Sequence, residues 1–219
     1  MTGTAPTMSE PRPPRPKVDH RPYLLDLTGI EGPLAWPSVF GNDHPVALEV
    51  GSGKGLFLQN AAFAHPGMNF VGVELAKKYA RQAAERVAKR ELTNVKVLPG
   101  DARLFLAKFI PAASLAEVHV YFPDPWWKAR HKKRRVFAEP LLKDIERTLK
   151  PGGSLWIATD VEEYFGVIRE LVGAHPQFNW QELAEPKDPE HELDYLTNFE
   201  RKYRIEGRPI YRALYVFEG

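Results

Sequence analysis

The sequence predicts an α/β fold with a mostly parallel sheet, on three observations. From about Pro45 onward, short apolar runs alternate with longer stretches rich in Ala, Lys, Arg and Glu. The apolar runs are nearly continuous rather than alternating, as strands covered on both faces are. The 219-residue length suits one domain with a buried core.

The first run is Pro45-Val46-Ala47-Leu48-Glu49-Val50, and a helix is expected from about Lys54 to Ala64. Asn69 to Glu74 is a second strand ending in a carboxylate, and Leu75 to Arg90 is rich in strong helix formers. Asn94 to Leu98 reads as the third strand and Asp101 to Phe109 as a helix. Glu117 to Phe122 is a fourth strand running into the Pro123-Asp124-Pro125 turn. Phe137 to Lys150 is helical and stops at Pro151-Gly152-Gly153. Ser154 to Thr159 is a fifth strand, Val161 to Ala174 a helix, and Phe178 to Leu183 and Ile210 to Phe217 are two closing strands. The chain before about Asn42 reads as irregular. Residues 1–22, with prolines at 6, 11, 13, 14 and 16 and Arg12, Arg15 and Lys17 between them, read as a disordered or polyproline-like tail. The domain is expected over 23–219.

Composition narrows the function. Net charge is only +2, so local clusters of charge say more than the total. The absence of cysteine excludes a disulfide framework, a thiolate zinc site and a cysteine nucleophile, and fits a reducing cytoplasm. The seven histidines lack any H-E-x-x-H spacing, so no metal site is expected. No apolar run approaches the roughly 18–20 residues that span a bilayer, and residues 1–17 hold no apolar core of a secretory signal.

In sheets of this kind ligands bind beyond the carboxyl ends of the strands. There the first strand opens into Glu49-Val50-Gly51-Ser52-Gly53-Lys54-Gly55. Gly51 and Gly53 allow a tight turn and a close approach to a ligand. The dinucleotide pattern G-x-G-x-x-G fails at Leu56, and no G-K-[ST] triplet marks a phosphate loop. Glu74 is placed to accept ribose hydroxyls and Asp101 to accept from an adenine amino group, while Glu49 can meet an ammonium. Three acidic positions without a phosphate-gripping cation suit S-adenosylmethionine better than NAD. Each carboxylate also has a plainer reading: Asp101 as a helix cap, Glu74 as a solvated strand end, and Glu49 as a strand residue whose burial would be costly.

The densest signal is Y-F-P-D-P-W-W-K-A-R-H-K-K-R-R over Tyr121 to Arg135. Six of the eight residues from Lys128 to Arg135 are Lys or Arg, as a phosphate backbone would require, and the neighbouring aromatic rings suit an exposed base. A solvated helix start is the plainer alternative. Trp126, Trp127 and Phe199 can stack on a base or support the loop, and Thr197-x-x-Glu200 is also a capping-box pattern.

With these motifs together, the chain resembles the bacterial tRNA (guanine-N7)-methyltransferases. The resemblance spans roughly Trp36 to Phe217 and rests on E-V-G-S-G-K-G at 49–55, G-V-E at 72–74, G-D-A at 100–102, P-D-P-W-W-K-A-R-H-K-K-R-R at 123–135, T-D at 159–160 and T-N-F-E-R-K at 197–202. It implies a single class I, Rossmann-like methyltransferase domain with a mostly parallel seven-stranded sheet, helices on both faces and an antiparallel strand near the C terminus. It also implies methyl transfer from S-adenosylmethionine, without a metal, to N7 of guanine 46 in the tRNA variable loop. The implied partner is tRNA, with no membrane and no obligate protein partner. Cofactor contacts would fall at Glu49, Gly51, Gly53, Glu74, Asp101 and Asp124, with Asp124 also catalytic. Lys128, Asp160, Thr197, Asn198, Phe199 and Glu200 would form the substrate pocket, and Arg130, His131, Lys132, Lys133, Arg134 and Arg135 the RNA contact. A small-molecule or protein methyltransferase on the same sheet, and an inactive RNA-binding scaffold, are the competing readings.

Overall fold

The computed structural model describes residues 18–125, 136–183 and 196–219. Its strands are β1 (Val46–Val50), β2 (Asn69–Glu74), β3 (Val95–Pro99), β4 (Leu115–Tyr121), β5 (Leu149–Thr159), β6 (Phe178–Gln181) and β7 (Tyr211–Phe217). They form one sheet in the order β3-β2-β1-β4-β5-β7-β6. β1 to β5 pair in parallel, and β7 runs antiparallel between β5 and β6. The expected antiparallel strand near the C terminus is therefore present. The order reverses beside β1, which pairs with both β2 and β4, and this is where an open sheet leaves a crevice.

The α-helices among the described residues are α1 (Trp36–Phe40), α2 (Leu56–Ala64), α3 (Lys77–Ala88), α4 (Ala102–Phe109), α5 (Glu139–Thr148), α6 (Glu162–Gly173) and α7 (Asn198–Ile205). None is long and apolar enough to cross a membrane. Two cores cover the two sheet faces. Phe105 and Leu106 of α4, Leu141 and Ile145 of α5, and Tyr164 and Ile168 of α6 pack on one. Phe57 and Leu58 of α2, with Ala80, Ala83, Ala84 and Val87 of α3, pack on the other. β1 is buried along its whole length, which is why it reads as a run rather than an alternation.

Two local expectations are corrected. Pro151-Gly152-Gly153 does not separate helix from strand: β5 starts at Leu149, and the tripeptide is an irregularity within it, where the β4 pairing shifts from Leu115↔Leu149 to Glu117↔Ser154. The stretch before Asn42, expected to be irregular, contains α1 and a 3-10 turn at Arg21–Tyr23. The domain boundary expected after residue 22 falls inside that turn. Lys96 Nζ donates to the Pro22 carbonyl at 2.7 Å, and Leu24 bridges Val97 on the open edge of β3, covering an edge that would otherwise be free to pair. Residues 1–17 lie outside the described residues.

Candidate active site

Of the residues singled out in the sequence, Glu49, Gly51, Gly53, Glu74, Asp101, Asp124 and Asp160 lie at or just beyond the carboxyl ends of β1, β2, β3, β4 and β5. Glu49 is 3% exposed on β1, and its Oε2 has no hydrogen-bond partner among the described residues. Burial, and secondarily the charge of Glu74, holds its carboxyl well above the usual carboxylate range. An unpartnered buried carboxyl is costly, and a cation brought by a ligand would satisfy it. Beyond β1, the Gly51 and Ser52 N–H groups both donate to the Val73 carbonyl, at 2.8 and 3.0 Å. Gly51 and Gly53 lie at φ of 82° and 53°, where a side chain would be strained. Gly55 packs directly on α3, since a Cβ there would stand 2.7 Å from that of Ala83.

Glu74, half-buried at the end of β2, accepts from the Gly53 N–H through Oε2 and from the Ala76 N–H through Oε1, both at 2.8 Å. It is a brace for the loop, with lone pairs to spare on each oxygen. Asp101 realises its capping alternative. It accepts from the Arg103 N–H at 2.9 Å at the start of α4 and pairs with the Arg103 guanidinium at 2.9 Å. That pairing lowers its pKa.

At the end of β4 the chain turns at Phe122, whose φ of 51° is an unusual conformation for a bulky residue and typical of constrained functional turns. Its N–H donates to the Ala158 carbonyl at 2.7 Å. Pro123 is buried and Asp124 exposed. Trp126, Trp127, Lys128 and the block Arg130, His131, Lys132, Lys133, Arg134 and Arg135 lie outside the described residues.

Asp160 follows β5 and forms an ion pair with Arg208. The Thr197–Glu200 pattern works as a cap, the Thr197 hydroxyl accepting from the Glu200 N–H at 3.0 Å. The Glu200 side chain reaches back to the Leu196 N–H at 2.6 Å rather than to Thr197. It is 4% exposed and also meets Arg212 at 2.6 Å and Arg204 at 3.2 Å. Thr197 and Glu200 thus anchor α7, while Asn198 is half-buried and Phe199 is 50% exposed. The Phe199 ring lies 6.0 Å from Phe122 and 6.1 Å from Tyr203.

Tyr203 and Arg208 escape the motif reading, as does a row on β4 in which Glu117 is half-buried and His119 and Tyr121 are buried. His119 Nε2 is 2.9 Å from Glu117 Oε2, and Nδ1 is 2.8 Å from the Tyr121 hydroxyl. Burial lowers the His119 pKa despite Glu117, so the ring is neutral. It donates from Nε2 to the carboxylate and accepts from Tyr121 at Nδ1. The signal was the spacing of polar residues at 117, 119 and 121 in an otherwise apolar strand. A cleft of about 330 Å³ between Leu24, Ile30, Leu34, Val39 and Lys96 lies toward the start of β3 and is no part of this constellation.

A family model described as "Putative methyltransferase" matches residues 43–213. A tRNA (guanine-N(7)-)-methyltransferase from Rhodopirellula baltica is 42% identical, over 93% of this chain and 78% of its own. Those from Geobacter metallireducens and Bacillus subtilis are 34% and 32% identical, over 89% and 90% of this chain and 92% and 97% of theirs. Among solved structures, the 16S rRNA methyltransferase KamB superposes with a TM-score of 0.56 at 16% identity, over 84% of this chain and 93% of that one. A SAM-dependent O-methyltransferase from Thermotoga maritima does so at 0.54 and 12%, over 88% and 69%. At such identities the structural likeness concerns the fold alone.

Proposed function

The chain belongs to the tRNA (guanine-N(7)-)-methyltransferase family, and on that premise we propose that it transfers the methyl group of S-adenosylmethionine to N7 of the variable-loop guanine of tRNA, giving 7-methylguanosine. The observation that carries the cofactor half is the buried Glu49 carboxyl with an unpartnered oxygen, beside a glycine loop braced by Glu74. A cationic, ribose-bearing ligand fits that pair, and an anionic pyrophosphate does not.

Glu49 meets the ammonium end, Glu74 the ribose hydroxyls, and Gly51 and Gly53 let the backbone approach the ligand. Asp101 accepts from the adenine amino group with a lone pair left free by Arg103. S-adenosylmethionine, when bound, supplies an electrophilic methyl on a sulfonium sulfur. Guanine N7 carries a lone pair and no proton, so the chain needs no general base. Its task is to hold N7 in line with the methyl and to tolerate the cation that results. Asp124, near the methionine end, offsets the positive charge developing on the purine. Asp160, Lys128, Thr197, Asn198, Phe199 and Glu200 form or support the guanine pocket. Arg130 to Arg135 neutralise tRNA phosphates.

Incubation with labelled S-adenosylmethionine and unmodified tRNA, followed by nucleoside analysis, tests this reading. Label should appear in 7-methylguanosine. Its absence there, or its presence in another nucleoside, would overturn the assignment.

A further inference from the structure

Arg208 lies outside every motif, yet it joins three parts of the site. α7 ends in a Schellman turn, with the Gly207 N–H donating to the Arg204 carbonyl at 3.1 Å and the Arg208 N–H to the Tyr203 carbonyl at 2.9 Å. The turn folds Arg208 back over its own helix. The guanidinium lies 4.2 Å from the centre of the Tyr203 ring and pairs with Asp160 beyond β5. Tyr203 packs near-parallel to Phe199, at 26°, and 5.5 Å from the Phe122 ring next to the Pro-Asp-Pro turn. The Asp160 side chain is 9% exposed and that of Arg208 41%. The pair therefore sets a fixed acceptor beside a fixed donor, next to the half-exposed ring of Phe199.

That order of groups complements one purine. Along its Watson–Crick edge guanine presents an acceptor at O6, then donors at N1–H and N2–H₂. Adenine presents a donor at N6–H₂, then an acceptor at N1. We propose that the Arg208–Asp160 pair reads the Watson–Crick edge of the target guanine, Arg208 donating to O6 and Asp160 accepting from N1–H and N2–H₂, which makes Arg208 a specificity-determining residue. The inference rests on the guanine-N7 reading above and deepens it.

The chemistry of N7 transfer favours this arrangement. Arginine most often reads guanine through O6 and N7 together, which here would occupy the nucleophile. A guanidinium tied to Asp160 and stacked on Tyr203 approaches from the other edge and leaves N7 free. Arginine has five N–H donors in a rigid fork, so a bond to Asp160 leaves others for O6. Adenine in the same position would set N6–H₂ against the guanidinium and N1 against the carboxylate. Leaving such groups unpaired discriminates strongly.

The test compares wild type and Arg208→Ala on tRNA transcripts carrying guanosine or 6-thioguanosine at the methylated position. Sulfur is a poor acceptor, while N1–H and N2–H₂ remain. For wild type, kcat/KM should fall about 10- to 100-fold on the thio transcript, as for loss of one charge-assisted hydrogen bond. Arg208→Ala should show a similar loss on guanosine and little further loss on the thio transcript, because both changes remove one contact. Multiplying losses, or a wild-type kcat/KM for Arg208→Ala, would overturn the inference. Thermal unfolding and S-adenosylhomocysteine affinity report whether the variant keeps its fold. If it does not, Arg208→Gln takes its place: its neutral amide N–H₂ still donates but without a charge, so it should fall below wild type on guanosine and be penalised less than wild type by the thio transcript, and insensitivity of wild type to thio substitution would by itself overturn the idea. If wild type forms no 7-methylguanosine on the guanosine transcript, the parent reading fails and takes this inference with it.

Discussion

The Glu74 carboxylate accepts the backbone N–H of Gly53 at 2.8 Å, so the acidic end of β2 sets the shape of the loop that follows β1. The two lie 21 residues apart in sequence and meet only because β1 and β2 pair in register, Glu49 with Gly72 and Val50 with Val73. A ligand at this switch point meets a carboxylate already oriented by two backbone donors, and such preorganisation lowers the cost of binding.

Glu74→Ala should therefore weaken S-adenosylhomocysteine binding by about one to two orders of magnitude, from lost hydrogen bonds of roughly 1.5–3 kcal/mol each. The loop loses its brace in the same variant, whereas the half-buried position leaves the core intact. Glu74→Gln keeps one acceptor oxygen and should lose less. Calorimetric titration checks both variants, and wild-type affinity in Glu74→Ala would remove Glu74 from the site.

With the ammonium of the proposed cofactor beside it, Glu49 would face opposite demands in the free and the ligand-bound protein. Burial and then Glu74 raise its pKa, so the folded chain keeps a proton that the unfolded chain releases. Its contribution to stability is complete below the ordinary glutamate value of about 4.3 and is lost as pH rises through the raised one. Ligand-free Glu49→Gln should lack that loss, melting above wild type at about pH 8 and gaining less at about pH 5. Its affinity for S-adenosylhomocysteine should fall about 10-fold or more. Parallel melting curves for the two proteins across this range would remove the charge at Glu49 from the account.

The parallel half of the sheet is legible in sequence because its strands are buried on both faces and read as apolar runs. α7 is legible only at its start, where Thr197 caps it as the capping-box pattern announces, because the rest of what holds it is remote. Glu200 is buried by Arg212 on β7, a pairing twelve residues away that no local pattern announces. Asp101 was ambiguous for a related reason: its cap is local, but its ion pair with Arg103 depends on a rotamer chosen in three dimensions. The polar spacing of Glu117, His119 and Tyr121 is visible in the sequence. Its meaning appears only when β4 is set between β1 and β5, opposing His119 to Glu49 and Trp156.

His175, beyond the end of α6, bridges two carboxylates of α5, with Nδ1 3.0 Å from Glu146 and Nε2 3.3 Å from Glu139. Burial alone would lower its pKa, but hydrogen bonds to Glu139 and Glu146 outweigh that and raise it. Its contribution is thus fully present below the unfolded value of about 6.5 and is lost as pH rises through the folded one. His175→Gln should reduce the melting temperature at about pH 6 and matter progressively less toward about pH 9. A pH-independent difference would mean that the ring acts by packing rather than by charge.

Replacing Lys132, Lys133, Arg134 and Arg135 together by Ala should weaken tRNA binding and leave S-adenosylhomocysteine binding nearly unchanged. If these side chains neutralise phosphates, the slope of log affinity against log salt should flatten by roughly 0.7–0.9 per contact removed. Filter binding over a salt series measures it, and an unchanged slope would return the block to a solvated surface.

Asp124 stands exposed two residues after the constrained turn at Phe122, whose ring meets Phe199 and Tyr203 of α7. Its charge should count for more in the transition state than in ground-state binding, because guanine becomes cationic as the methyl arrives. Asp124→Asn keeps the size and one acceptor oxygen and removes the charge. Turnover should drop by about 10²–10³-fold, the range for loss of one preorganised electrostatic contact. Affinity for tRNA should change little, and cofactor affinity should fall modestly. Single-turnover methylation at saturating cofactor and tRNA separates these effects, since a pure binding defect vanishes at saturation. A wild-type single-turnover rate would make Asp124 a turn residue and pass the electrostatic role to Asp160, whose carboxylate already faces Arg208.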